Sequence, residues 1–195
     1  MTQTMTPENV AKFIKLTNRF EGKVPHFYLD IKGLVTIGFG CLIEPESACY
    51  ALSMVHPDGT IATTKDVVMD WRRIKLAPRL AIRGWRYAGR VAKLRMTEEN
   101  IQQLLRDRLG GVEQSLALQF PLYGTFPDDL KLACCLIAWA VGSNLKKAFP
   151  KFSTALLLDD MKLALAECQL NETYNPGVVP RNLAIKKLIG RLVHS

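Results

Sequence analysis

The chain lacks any Cys-x-x-Cys pair, internal repeat, low-complexity tract or obvious linker. Its five cysteines (Cys41, Cys49, Cys134, Cys135 and Cys168) are an odd, scattered set, which argues against a disulfide framework and against a zinc site; reduced, mostly buried thiols are expected, with no metal or other cofactor. No window approaches the roughly 20 apolar residues of a membrane span. The longest apolar run, Leu132 to Val141, has the length of a buried helix. The opening Met-Thr-Gln-Thr-Met-Thr has neither the basic start nor the apolar stretch of a signal peptide. The expectation is therefore synthesis in the cytoplasm without a cleavable signal, with any export by another route.

Hydrophobic residues make up 48% and charged residues 23% of the 195 positions, a balance that places the chain among globular proteins. The length suits one domain. The formal charge of +8, with Lys and Arg dense in 72–95 and 181–191, favours an anionic partner such as nucleic acid, a membrane surface or an envelope polymer.

Thr6-Pro7-Glu8-Asn9 reads as a helix start, and Val10, Phe13, Ile14, Thr17 and Phe20 recur at helical spacing. Glu21 continues that apolar face. His26–Leu29 and Leu34–Phe39 predict two strands joined by the turn Asp30-Ile-Lys-Gly33, and Gly38 and Gly40 predict a bare strand surface open to close approach. In the poorly patterned segment 44–96, Glu44–Tyr50 suggests a short helix, His56-Pro-Asp-Gly59 a turn, and Thr64 the cap of a helix ending before Pro78. Its basic part, with Trp85 and Tyr87 interleaved, reads either as a nucleic-acid patch or, the preferred reading, as a solvated face with two half-buried aromatics. From Thr97 the pattern is helical, with a break or kink at Gly110-Gly111, a central core helix stopped by Gly142, one or two short helices introduced by Phe149-Pro150 and Ser153-Thr154, and a last helix from Pro180. The fold class predicted is α+β: one domain, 1–195, with a hairpin lobe over about 20–60, an extended segment over about 44–96 and a helical body over about 97–195.

The stretch Glu21–Cys41 carries the chemistry. Glu21, at a helix C-terminus on the apolar side, is expected to be desolvated and held protonated, as a general acid requires. Asp30, at a strand-to-turn boundary, is expected to be solvated and ionised. Two carboxylates in contrasting settings suit glycoside hydrolysis, and the Thr36 hydroxyl is placed to orient a water.

The run Glu21-Gly22, Tyr28-Leu29-Asp30, Gly33 and Thr36-Ile37-Gly38-Phe39-Gly40 closely resembles the signature of phage-type lysozymes, in which Glu, eight residues, Asp, five residues and Thr precede an Ile-Gly-x-Gly strand. That resemblance implies a lysozyme-like α+β fold and an endolysin-type muramidase, which hydrolyses the β-1,4 bond from N-acetylmuramic acid to N-acetylglucosamine in peptidoglycan and so lyses bacteria. It implies Glu21 as general acid, Asp30 as second carboxylate and Thr36 as holder of the water, with Gly40 and Leu42 as substrate-binding neighbours. Weaker echoes, Trp139-Ala140-Val141-Gly142, Ser153-Thr154-Ala155-Leu156 and Val179-Pro180-Arg181-Asn182, imply Trp139, Arg181 and Asn182 as further substrate-binding positions.

Cys41 stands where the family commonly has His, and the segment 44–96 is longer than in compact endolysins, closer to pesticin-like bacteriocins and secretion-effector lysozyme domains. The implied setting is the periplasm or cell wall, reached by release or delivery. Peptidoglycan is the expected partner, with an immunity or inhibitor protein as a second, and no specific nucleic acid. The competing readings are a lytic transglycosylase, a non-catalytic glycan- or partner-binding module on the same fold, and a nucleic-acid binder using 72–95.

Overall fold

The computed structural model describes residues 5–173 and 176–193. Most of the polar opening used in the signal-peptide reading, and part of the Asn175-Pro-Gly177 loop, lie outside the described residues. In chain order the elements begin with α1 (Pro7–Glu21), β1 (Val24–Leu29), β2 (Val35–Gly38), β3 (Cys41–Leu42), α2 (Thr64–Lys75), α3 (Arg79–Arg83) and α4 (Trp85–Val91). They continue with α5 (Glu98–Gln119), α6 (Asp128–Val141), α7 (Leu145–Ala148), α8 (Pro150–Leu157), α9 (Met161–Glu167) and α10 (Val179–Val193). Helices predominate over one small antiparallel sheet of order β1-β2-β3, so the fold class is α+β. Among the described residues no helix is long and apolar enough to cross a membrane.

The chain divides into two compact units. One comprises Met1–Phe20 with Asp107–Ser195, the other Glu21–Arg106. The hairpin lobe therefore does not close near residue 60: the segment 44–96 folds with it, and the boundary falls inside α5 rather than before it.

In the sheet-containing unit, α2, α3 and α4 pack on β1. Helix α2 starts at a capping box one residue earlier than expected: the Thr63 hydroxyl accepts from Asp66 N at 3.2 Å while Asp66 Oδ2 accepts from Thr63 N at 3.0 Å. Its apolar stripe, Val67, Trp71 and Ile74, is buried, and Trp71 Nε1 donates to Ile43 O at 2.8 Å. Buried Asp70 accepts from Lys93 N and Leu94 N at 2.9 and 3.1 Å and pairs with Arg73, so the chain after α4 is tied to α2. Helix α4 lies flush on β1 because Gly89 has no side chain. A Cβ there would stand 2.8 Å from Cε1 of the buried His26 ring, whose Nε2 donates to Trp85 O at 2.8 Å.

The other unit is helical. Thr6 opens α1, its hydroxyl accepting from Asn9 N at 3.4 Å, and Phe13 meets Trp139 of α6 edge-on at 5.3 Å between centroids. Helix α6 is buried at every position from Leu130 to Ala138, as its all-round apolar pattern predicts, and stops at Gly142, whose φ of +96° favours glycine. Cys134 and Cys135 are core residues, and burial pushes both thiols up, Cys135 to about 12. All five cysteines are free and buried. Helix α10 packs on α6 and α9, and α8 on α9.

Helix α5 runs without a break through Gly110-Gly111, where a break or kink was expected. Two mid-helix glycines cost about 1 kcal/mol each, less than the burial of Leu105, Leu109 and Leu116 on the same helix contributes.

Candidate active site

Strand register assembles the core of the site. Tyr28 pairs with Thr36, and Thr36 with Leu42, so these three residues form one cross-strand row on one face of the sheet. The third strand was not anticipated, since two residues are too short for periodicity to reveal. The Phe39-Gly40 turn that makes it possible is flanked by Gly38 and Gly40 at φ of +65° and +76°. That left-handed backbone, rather than a bare surface for a ligand, accounts for both glycines.

Asp30 stands at the β1 end of the hairpin. Its Oδ1 accepts from Lys32 N at 2.8 Å and Leu34 N at 2.9 Å, and its main chain closes the turn through Asp30 N to Leu34 O and Gly33 N to Asp30 O. One carboxylate oxygen is thus fixed by the turn, which orients the other. Thr36 is buried, and its hydroxyl donates to Leu34 O at 3.2 Å, leaving oxygen lone pairs as acceptors.

Glu21 ends α1 beside the β2–β3 turn. A Cβ on Gly40 would lie 3.7 Å from Glu21 Oε2, so the bare Gly40 backbone faces the carboxylate. The expectation of a buried Glu21 is not met: its side chain is exposed. The helix explains this, since the buried residues of α1 are Asn9, Phe13 and Thr17, and Glu21 sits one position after the half-buried Phe20, where the helix stops.

Tyr28 reports how closely these groups gather. Burial pushes its hydroxyl up to about 12, and the charges of Glu21, Cys41 and Asp30 add to that rise in that order. Glu21 lies beside the Gly40 turn after β2 and Asp30 in the turn before β2, with Tyr28 in electrostatic reach of both. Tyr28 was quoted in the motif without a role; only the register gives it one. Leu42, at the end of the row, is exposed, as a contact for a ligand must be, whereas Cys41 is buried in β3.

The segment after the hairpin holds the site in place. Glu44 Oε1 accepts from Val35 N at 3.0 Å and pairs with Lys75 at 2.6 Å, while Lys75 Nζ also donates to Gly33 O at 3.1 Å. The Asp30 turn is thereby tethered to the end of α2. Burial pushes the Glu44 carboxyl up, but the Lys75 hydrogen bond, the Val35 amide and the Lys75 charge together hold it below its ordinary value.

The remaining expected positions belong to the helical unit. Trp139 is half-buried against Phe13. Arg181 is buried, its guanidinium 5.4 Å from the Phe20 ring centroid. Asn182 is buried too, and its amide is engaged internally: it accepts from Leu170 N at 2.9 Å and donates to Leu170 O at 2.9 Å and Glu172 Oε1 at 2.8 Å. Both of its N–H groups are taken, so Asn182 is a staple for the loop before α10 and not a contact for substrate. Among the described residues no three His, Cys, Asp or Glu side chains cluster as metal ligands.

No protein-family model and no curated protein matches this chain.

Proposed function

We propose that the protein is a muramidase with a lysozyme-like fold, hydrolysing the β-1,4 bond from N-acetylmuramic acid to N-acetylglucosamine in peptidoglycan. The observation that carries this reading is the placing of the two carboxylates at the turns flanking β2, Asp30 in the turn before it and Glu21 beside Gly40 in the turn after it, with Thr36 on the strand between. The spacing of Glu21, Asp30 and Thr36, matched to the phage-lysozyme signature, supports it.

In this mechanism Glu21 protonates the leaving glycosidic oxygen. A water donates one hydrogen bond to the outer oxygen of Asp30 and another to Thr36 Oγ1, so that its lone pair points at the anomeric carbon; as the glycosidic bond breaks, the water bonds to that carbon and passes its proton to Asp30. The Leu34 carbonyl supports this division of labour by taking the Thr36 hydroxyl proton, and the Lys32 and Leu34 amides by fixing Asp30. Because Glu21 is exposed, the exclusion of water that its acid role requires comes from the bound glycan rather than from the fold. Cys41 supplies no proton in this scheme; burial in β3 makes it a packing residue.

Digestion of purified peptidoglycan tests the reading. New reducing ends on N-acetylmuramic acid are expected, and Glu21→Gln should lower kcat by roughly 100-fold or more. An equally active Glu21→Gln variant removes Glu21 from the acid role. Anhydro-sugar products would mean lytic transglycosylation, and glycan binding without turnover a recognition module.

A further inference from the structure

Between Asp70 and Glu98 the sequence holds no acidic residue, while Lys and Arg recur through the whole interval. Four of these cations are engaged: Arg72 pairs with Glu46, Arg73 with Asp70 and Lys75 with Glu44, and Arg95 donates to the carbonyls of Gly89 and Leu94. Arg79, Arg83, Arg86, Arg90 and Lys93 are exposed, and among the described residues no carboxylate pairs with them. They lie on and just after α3 and α4, two short helices that pack on β1 and are joined at Gly84.

The packing fixes which side faces outward. Leu80 and Ala88 are buried and Gly89 rests on His26, so Ile82 on α3 and Arg86 and Arg90 on α4 face outward, while Trp85, three and four residues before Ala88 and Gly89, stands at the margin of the packed side and is partly exposed. That outer side is not simply charged. Ile82 is 91% exposed, Trp85 43%, and Leu76, at the end of α2, 80%. Large apolar side chains so exposed, within a few residues of five unpaired cations, carry a cost in water that a solvated face need not bear.

The aromatic rings are already covered by cations. The Arg83 guanidinium sits 4.4 Å and that of Arg90 5.9 Å from the Tyr87 centroid, and Arg86 lies 5.1 Å from that of Trp85. Stacked guanidinium groups hold the arginines outward at low entropic cost. They also occupy ring faces that a single-stranded nucleic acid would need for its bases. Leu76 and Ile82 have no donor or acceptor for a base or a phosphate.

We infer that the α3–α4 face is a docking surface for an anionic phospholipid bilayer, with Arg79, Arg83, Arg86 and Arg90 on the headgroup phosphates and Ile82 and Trp85 inserted at the headgroup–acyl boundary. Exposed cations and apolar side chains interleaved along α3 and α4, with a partly exposed indole at the margin, match an interface that is charged outside and apolar a few ångströms deeper. The inference stands apart from the proposed hydrolysis, because its test reads no bond cleavage.

The test is co-sedimentation of the full chain with vesicles of equal parts phosphatidylglycerol and phosphatidylcholine, against vesicles of phosphatidylcholine alone, at physiological ionic strength. Partitioning onto the phosphatidylglycerol vesicles is expected. The double change Ile82→Ser with Trp85→Ser should weaken it by roughly tenfold or more, and Arg83→Gln with Arg86→Gln by a similar factor. Lys147→Gln with Lys162→Gln removes the same charge from exposed sites in the helical unit and should leave binding within about twofold. All substituted side chains are exposed or partly so, and circular dichroism confirms that each variant folds. Absence of a phosphatidylglycerol requirement overturns the inference, as does an equal loss in the Lys147 and Lys162 control. Loss with the arginines alone, Ile82 and Trp85 being indifferent and duplex DNA displacing the vesicles, overturns it in favour of a nucleic-acid surface.

Discussion

His26 is the residue whose chemistry most constrains how this protein responds to acid. Its ring is pinned between β1 and α4, with Nε2–H on the Trp85 carbonyl and Nδ1 buried without a hydrogen-bond partner. Burial lowers its proton affinity below the ordinary value of 6.5; the Trp85 carbonyl opposes this in part, the nearby Arg95 charge adds to it, and Asp70 opposes it least. The unfolded chain takes up this proton near 6.5, the folded chain only at lower pH. The contribution is therefore whole above 6.5 and is lost as pH falls from there towards the folded-state value. Denaturant unfolding as a function of pH should show stability falling below 6.5, with a shallower fall in His26→Gln; identical slopes would remove His26 as the cause. Among the expected site residues, Asn182 and Glu21 show the same rule from opposite directions. A buried amide must satisfy its own hydrogen bonds within the fold, as Asn182 does, whereas the exposed Glu21 carboxylate is under no such demand.

At the scale of elements, the sheet positions its reactive groups only because α2 holds the hairpin turn. Lys75 reaches both Gly33 O and the Glu44 carboxylate, and Glu44 in turn takes the Val35 amide, so three segments distant in sequence converge within a single charged clamp. Lys75→Met keeps the stem of the side chain and removes the charge, leaving the Glu44 carboxylate half-buried without its cation. The expected cost is about 1–2 kcal/mol, or about 2–8 °C in Tm for a chain of this size, measured by calorimetry. If the proposed hydrolysis holds, kcat should fall as well, because Asp30 loses its tether while every group named in the mechanism is retained. An unchanged Tm would show that the clamp is solvent-screened and idle. The long segment after the hairpin thereby acquires a role: it is the scaffold on which the Asp30 turn is fixed.

At the scale of the whole molecule, the +8 charge is the property most exposed to solution conditions. Raising ionic strength from about 0.01 M to about 0.15 M shortens the Debye length from about 30 Å to about 8 Å. Encounter with an anionic wall slows accordingly, while chemistry between groups already in contact is barely screened. If the proposed hydrolysis holds, turnover of peptidoglycan should therefore lose about tenfold in kcat/KM over that range with kcat nearly constant. Activity indifferent to salt would show that wall encounter is not electrostatically steered.

Three helices were legible because periodicity is local: Phe13 and Thr17 on α1, Val67, Trp71 and Ile74 on α2, and the all-round apolar α6 are buried as their spacing predicts. So were the hairpin with its Asp30 turn and the grouping of Glu21, Asp30 and Thr36 within one stretch, since all lie within a few residues of one another. The third strand, the clamp of Lys75 on Glu44 and Gly33, the division of the chain inside α5 and the withdrawal of Asn182 were not legible. Each depends on which distant residue completes a hydrogen bond or covers a side chain. The sequence by itself determined the main helices, the hairpin and the close spacing of the candidate residues Glu21, Asp30 and Thr36. Only the tertiary structure decided which candidate residues are exposed, which are buried, and that Tyr28 pairs with Thr36 across the sheet, because register and burial are properties of chain segments brought together and not of any one of them.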